Sequence, residues 1–293
     1  MPPLSSPPPS SADVPSSPDG SRSPSSLPPV VPASPAPRAD VAAALRAAGC
    51  VFAEDEADLI LATARTADET AELVRRRAAG LPLEQVVGWA RFHGLRISVE
   101  PDVFVPRRRT EFLVEQAVAA APERAVVVDL CCGSGAVGAA LADALDPAEL
   151  HAADIDPAAV RCARRNVAPF AGQVHTGDLF DALPPALRGR IDVLAANVPY
   201  VPTGEVGLLP AEARDHEPLV ALDGGSDGLD VLRRVTADAP RWLARGGRLL
   251  SETSERQAPA ALEALRRAGL HPRLAVSEEL HATVVIGELP GRR

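Results

Sequence analysis

The chain contains no lysine, so all 30 of its basic residues are arginine. Set beside the abundant Ala, Pro and Gly, this reflects a GC-rich coding bias and not a function. Positive charge is also outweighed: 39 acidic residues leave a formal net charge of −9. A chain of that balance lacks the basic footprint of a general nucleic-acid binder. Aromatic residues make up only 3%, with a single tyrosine. The four cysteines, Cys50, Cys131, Cys132 and Cys162, form no CxxC pair, and no His/Cys cluster has metal-ligand spacing. No metal is expected, and the thiols read as small buried side chains in a reducing compartment. No apolar run approaches the roughly 20 residues that span a bilayer. No charged start followed by an apolar segment marks a secretory signal. A soluble, cytoplasmic protein without membrane contact is expected.

What is present divides the 293 residues into four parts. Residues 1–38 are dominated by Pro and Ser and cannot bury enough apolar surface to offset their ordering entropy. A disordered tail is expected there. Residues 39–82 carry helical spacing, in Val41, Leu45 and Ala48 and again in Ala57, Leu59, Ile60 and Ala64. Thr66 before Ala67-Asp68-Glu69 reads as a helix cap, and Gly80 and Pro82 as stop signals. A small helical domain follows from this. In residues 83–108, Phe92, Leu95, Ile97, Val99, Val103 and Val105 are spaced more like strands, which predicts a β-hairpin linker. Arg107 to Arg109 read as a solvated charge run, and Thr110-Glu111 as a helix cap. Residues 109–293 alternate strand and helix, which implies a mostly parallel sheet with helices on both faces.

Val126-Val127-Val128-Asp129-Leu130 is a buried-strand run that leads into Cys131-Cys132-Gly133-Ser134-Gly135 and then a helix. A glycine turn at the carboxyl end of a first strand lets a ligand approach the backbone closely. Gly133, Gly135 and Gly138 spell the dinucleotide fingerprint G-x-G-x-x-G, and Asp154 stands where a carboxylate would hold ribose hydroxyls. Asp129 inside the strand tilts the pattern toward methyltransferases and away from nicotinamide enzymes. Asp156-Pro157 reads as a helix N-cap followed by proline in the first turn. Asp178, ending a third strand, could accept an adenine amino group.

The strand Ile191–Ala196 ends in Asn197-Val198-Pro199-Tyr200. Ligands bind at such carboxyl ends in open α/β sheets. An amide nitrogen is a poor nucleophile because its lone pair is delocalised into the carbonyl. A site that accepts hydrogen bonds from both of its N–H groups favours a pyramidal nitrogen with a freer lone pair. The Asn197 side-chain oxygen and the Val198 carbonyl supply two such acceptors. Pro199 biases Val198 toward an extended conformation, and Tyr200 offers a flat face for a planar group. The loop therefore reads as a catalytic site for methylating a planar nitrogen.

Over residues 81–289 the chain resembles the release-factor glutamine N(5)-methyltransferases. The resemblance rests on Leu83-Glu84-Gln85-Val86-Val87-Gly88, on Phe92-His93-Gly94-Leu95 and on Val105-Pro106-Arg107-Arg108-Arg109-Thr110-Glu111. Beyond the catalytic loop it continues through His216-Glu217-Pro218, Ala221-Leu222-Asp223-Gly224-Gly225 and Asp227-Gly228-Leu229. It implies a class I, Rossmann-like fold: a seven-stranded sheet whose last strand is antiparallel. It implies S-adenosyl-L-methionine as methyl donor, held by Cys131, Cys132, Gly133, Ser134, Gly135, Asp154, Leu179 and Asn197, to which the reading of the strands adds Asp129 and Asp178. It implies that Asn197 to Tyr200 hold a glutamine side chain, in the family that of a Gly-Gly-Gln loop in a peptide-chain release factor. His216 would order the loop around the site. The family tetrapeptide is Asn-Pro-Pro-Tyr, where this chain has Val198, and the cofactor turn usually opens with Gly, where this chain has Cys131. The helical part is shorter by about one helix. These departures mark a divergent relative, a paralogue beside a housekeeping enzyme. Two other functions fit parts of the pattern: methylation of an exocyclic amine on a nucleic-acid base, and cofactor binding without catalysis.

Overall fold

The computed structural model describes residues 37–146 and 148–291. The expected Pro/Ser-rich tail lies outside these residues except at its last two positions, and Arg38, assigned to that tail, already opens the first helix. Helices α1 (Arg38–Ala47), α2 (Ala53–Thr63) and α3 (Ala67–Ala78) pack around Val41, Leu45, Ala57 and Ile60. The Thr66 side chain accepts from the Glu69 N–H at 3.1 Å, so the cap legible in the sequence is in place. A short helix α4 (Leu83–Val87) follows where the sequence suggested the start of a hairpin. Val86 and Val87 are β-branched, but both are buried, Val87 in the bundle core, and this overrides that preference.

The hairpin is β1 (Trp89–Phe92) with β2 (Leu95–Ser98), shorter than its apolar pattern suggested. Val103 and Val105 are buried without joining a strand. Asn166 fixes the hairpin to the main domain. Its Oδ1 accepts from Ser98 N at 2.8 Å, and its Nδ2 donates to the Ser98 and Ser134 carbonyls at 2.9 and 2.8 Å.

Beyond α5 (Glu111–Val118) the chain runs through β3 (Val126–Leu130), α6 (Ala136–Ala144), β4 (Glu149–Asp154), α7 (Pro157–Val167), β5 (Gln173–Thr176) and β6 (Ile191–Ala196). Two short helices, α8 (Ala211–His216) and α9 (Leu219–Leu222), precede α10 (Asp230–Trp242), β7 (Leu243–Thr253), α11 (Ala258–Arg267), β8 (His271–Ser277) and β9 (Ala282–Glu288). The seven-stranded sheet has the order β5-β4-β3-β6-β7-β9-β8. β3 to β7 are parallel, and the last strand, β9, is antiparallel between β7 and β8. The fold class implied by the resemblance is the one observed.

Alternation along β3 shows why both faces are covered. Val127 points into the core beneath α5 and α6, whereas Val126, Val128 and Leu130 point into the core beneath α10 and α11. α10 earns its place in the second core with Leu232, Val235, Thr236, Ala239 and Trp242 buried along one stripe. The strand order reverses between β3 and β6, so their carboxyl-end loops diverge and leave a crevice.

Candidate active site

A cavity of about 440 Å³ occupies that crevice. It is floored by the turn after β3, flanked by Asp154 and Leu179, and faced by Asn197 to Tyr200. All the sequence-selected residues, Asp129, Cys131, Cys132, Gly133, Ser134, Asp154, Asp178, Leu179, Asn197, Val198, Pro199 and Tyr200, line it, except Gly135. Gly135 opens α6 at φ +76°, and a Cβ there would lie 3.0 Å from the Ala163 Cβ. Its role is to let α6 start against α7.

The turn is shaped by three consecutive constraints. Cys131 adopts φ +57°, a left-handed conformation that L-residues rarely take. Cys132 N–H donates to the Ala153 carbonyl at 3.0 Å, which ties the turn to β4. Gly133 N–H donates to the Asp154 carboxylate at 2.8 Å, while the other Asp154 oxygen accepts from Asp156 N at 2.9 Å. Asp154 is thus aimed before any ligand arrives, and burial raises its pKa. Asp156 caps α7 by accepting from Ala158 N at 2.8 Å, as its position before Pro157 suggested.

Gly138 packs α6 closely against β3, the role of a third fingerprint glycine. Its N–H donates to Asp129 at 2.8 Å, and a Cβ there would sit 3.1 Å from the same carboxylate oxygen. The third glycine of the fingerprint therefore serves contact between α6 and β3. Asp129 is 1% exposed, and burial pushes its pKa up to about 8. Asp178 opens onto the cavity but is already paired with Arg234 at 2.6 Å. Leu179 beside it holds φ +48°.

At the end of β6, the Asn197 Oδ1 is buried and makes no hydrogen bond among the described residues. Buried polar atoms are nearly always paired, so an orphan acceptor facing a cavity calls for a donor from a ligand. Val198 is buried in the core with Leu130, Leu194 and Leu229. The glycine loop 224–228 clasps the next two residues. A Cβ on Gly224 would lie 2.6 Å from the Pro199 carbonyl oxygen, and one on Gly228 2.2 Å from that of Tyr200. Gln257 Nε2 donates to the Tyr200 carbonyl at 2.8 Å.

Sequence reasoning passed over the groups around the tyrosine ring. Arg107 and Arg109 are partly exposed, but they are paired and not free charges. Arg107 binds both oxygens of Glu217 at 2.7 Å, and Arg109 Nε donates to Glu252 at 2.7 Å. Two carboxylates from distant segments neutralise what reads locally as a basic stretch. Thr110 makes no cap; its hydroxyl donates to Glu252 at 2.6 Å. His216 does not line the cavity. Its carbonyl accepts from Gln85 at 3.3 Å, so it belongs to the junction with the helical bundle. Burial, followed by the charge of Glu252, drives the Tyr200 phenol well above its ordinary pKa. Tyr200 is therefore a neutral wall and not a base.

Comparison with known proteins agrees with this geometry. The family model for the methyltransferase small domain matches residues 95–208. A release factor glutamine methyltransferase of Geobacter sulfurreducens is 40% identical over 67% of this chain and 69% of its own length. One from Mycolicibacterium smegmatis is 41% identical over 67% and 70%. A 4-amino-L-phenylalanine/4-methylamino-L-phenylalanine methyltransferase of Streptomyces pristinaespiralis is 38% identical over 67% and 68%. A methyltransferase structure from Pyrococcus furiosus superposes with a TM-score of 0.52 over 67% of this chain and 90% of that one, at 16% identity, which speaks to the fold alone. Fold and site together define a class I methyltransferase, an enzyme whose methyl donor is S-adenosylmethionine. Within that class, the chain belongs to the release factor glutamine methyltransferase family.

Proposed function

We propose that this enzyme methylates the side-chain amide nitrogen of a glutamine in a peptide-chain release factor. The observation that carries the reading is the buried, unpartnered Asn197 Oδ1 at the carboxyl end of β6. A carboxamide nitrogen brings the N–H donor this acceptor lacks. When bound, S-adenosylmethionine supplies an electrophilic sulfonium methyl group. The residues that would hold it are Asp129, Cys131 to Ser134 in the turn after β3, Asp154, Asp178, Leu179 and Asn197. The backbone of that turn and the pre-aimed Asp154 carboxylate fit a ligand with a ribose and a polar tail.

Asn197 Oδ1 accepts one N–H of the acceptor amide, and the Val198 carbonyl accepts the other. This pairing orients the nitrogen and favours a pyramidal geometry. Tyr200 offers its ring face to the planar amide and, being a neutral phenol, removes no proton. Catalysis in this reading is mostly positioning. The α1–α2 connection, where Val51 and Phe52 are exposed, is where the helical region meets the protein partner. Such a substrate places the enzyme in the cytoplasm. Among the described residues, no helix is long and apolar enough to cross a membrane.

Incubation with labelled S-adenosylmethionine tests the reading against three acceptors: a release factor, its Gly-Gly-Gln loop variant with Gln→Ala, and bulk RNA. Label on the intact release factor that vanishes in the variant is the expected outcome. Label confined to RNA would overturn the acceptor assignment.

A further inference from the structure

Three side chains from separate parts of the chain, Arg109, Tyr200 and Glu252, are bonded to one another. Tyr200 Oη donates to Glu252 at 2.7 Å and accepts from Arg109 Nη2 at 2.6 Å. Arg109 Nε donates to the same Glu252 oxygen at 2.7 Å, closing a three-membered ring of hydrogen bonds. The second Glu252 oxygen accepts from the Thr110 hydroxyl at 2.6 Å, so the carboxylate cannot swing away without losing a partner. Glu252 sits near the end of β7, the neighbour of β6 in the sheet, and is 2% exposed. Its base is therefore as rigid as the strand that carries Asn197. Arg109 stands at the rim, half exposed, with its guanidinium carbon 6.0 Å from the tyrosine ring centroid.

The opposite end of Tyr200 is also held. Its carbonyl accepts from Gln257, and its backbone abuts Gly224 and Gly228. A tyrosine fixed at both main chain and hydroxyl has no freedom left to rotate its ring. In a site that works by placing a planar nitrogen, the angle of that wall matters, because small misplacements carry large rate penalties. The charges also match: Glu252 carries an anion into the site, and Arg109 offsets it, so the wall stays close to neutral overall.

We infer that Arg109 and Glu252 are positioning residues for methyl transfer, clamping the Tyr200 hydroxyl so that its ring presents one fixed face to the acceptor. The inference rests on the acceptor reading above, in which Tyr200 walls the amide. It adds two residues that act through the phenol: Glu252, which does not line the cavity, and Arg109 at its rim.

Because Tyr200 is the chain's single tyrosine, its phenolate absorbance reports this site alone. Alkaline titration of the folded wild type should give a midpoint above the ordinary phenol value of about 10. Glu252→Gln should lower that midpoint, and Arg109→Met should raise it. Unmoved midpoints in both variants would overturn the clamp, whatever the acceptor proves to be. Kinetics then test its purpose. Tyr200→Phe and Arg109→Met should each lower kcat roughly tenfold to a hundredfold, with little change in KM for the cofactor. The double variant should be no slower than the slower single, because both remove the same contact. Arg109→Lys, which keeps one donor, should recover part of the rate. Multiplying losses in the double variant would refute action through the hydroxyl.

Discussion

Replacing Asn197 with alanine separates what this residue does for the fold from what it does for the reaction. Its Oδ1 is buried without a partner, so in the free protein it is a liability. Leaving a buried acceptor unsatisfied costs about 1–3 kcal/mol. Alanine removes that penalty and gives up some side-chain packing, which for a few half-buried atoms is worth about 1–2 kcal/mol. The two terms nearly cancel, so the free enzyme should keep its stability to within about 2 kcal/mol. At about 2–4 °C per kcal/mol for a domain of this size, the melting temperature should move by no more than about 8 °C in either direction. Turnover responds differently. Loss of one preorganised polar contact at a reacting group lowers kcat by roughly a hundredfold to a thousandfold. The measurements are thermal unfolding without ligand, cofactor binding by calorimetry, and single-turnover transfer to the release factor. An intact melt and much of the cofactor affinity, beside a transfer rate at least a hundredfold lower (on the order of the loss above), is the expected set. A collapse of stability would show that Asn197 holds the loop together. Turnover within a few-fold of wild type would refute its role as acceptor for the amide.

Asp129 should give the free enzyme a pH dependence that Asp129→Asn lacks. Its pKa in the fold is about 8 against an ordinary 3.8, with burial as the main cause. Below the ordinary value both folded and unfolded states hold the proton, and no penalty exists. As pH rises toward 8 the unfolded chain ionises first, so the fold loses stability across that window and the loss levels off above it. Melting curves should therefore show Asp129→Asn gaining on the wild type between pH 4 and 8; parallel curves would contradict this. Arg77 is bonded to the buried Glu56 and also to Glu212, so it ties α3 to α8 beside the cavity. Arg77→Met strands Glu56 and should destabilise by about 3 kcal/mol, with Glu56→Leu in the same chain restoring most of it, as read by urea unfolding. A full loss in the double variant would show that packing, not the stranded charge, is responsible. Burial raises the Cys131 and Cys132 thiols far above their usual pKa, so iodoacetamide at pH 8 should leave both unmodified by mass spectrometry, although Cys131 borders the cavity. Rapid alkylation of Cys131 would contradict that raised pKa.

The parallel core was legible because its signals are local. Val126 to Leu130 form one apolar run interrupted only by Asp129, and α10 repeats its buried residues at helical spacing. Elements without such a repeat escaped. β8 is an edge strand whose residues are mostly exposed, and its Pro272 argues against a strand, so neither alternation nor composition marks it. α8 and α9 have six and four residues, too few for a helical period to show. The segment around Val86 and Val87 carries a β-branched preference that only the bundle beneath it reverses.

The site divides along the same line. The cofactor turn and Asn197 to Tyr200 are each contiguous, so their chemistry could be read from residue types standing side by side. The partners of Tyr200 could not, because Arg109 and Glu252 lie 91 and 52 residues from it along the chain. What joins them is the sheet order: β7 beside β6 brings Glu252 alongside the end of the strand that carries Asn197. Val198 then takes on a different weight. As a departure from proline it looked like a change in the catalytic loop. Its side chain is packed in the core with Leu130, Leu194 and Leu229, so part of what differs there is the filling beneath the loop. Stiffness that a second proline would lend is supplied in this chain by other means. Gly224 and Gly228 close on the backbone at Pro199 and Tyr200, Gln257 holds the Tyr200 carbonyl, and Arg109 with Glu252 holds its hydroxyl. A loop fixed by these five outside residues can tolerate a valine where its relatives carry proline, provided those contacts remain.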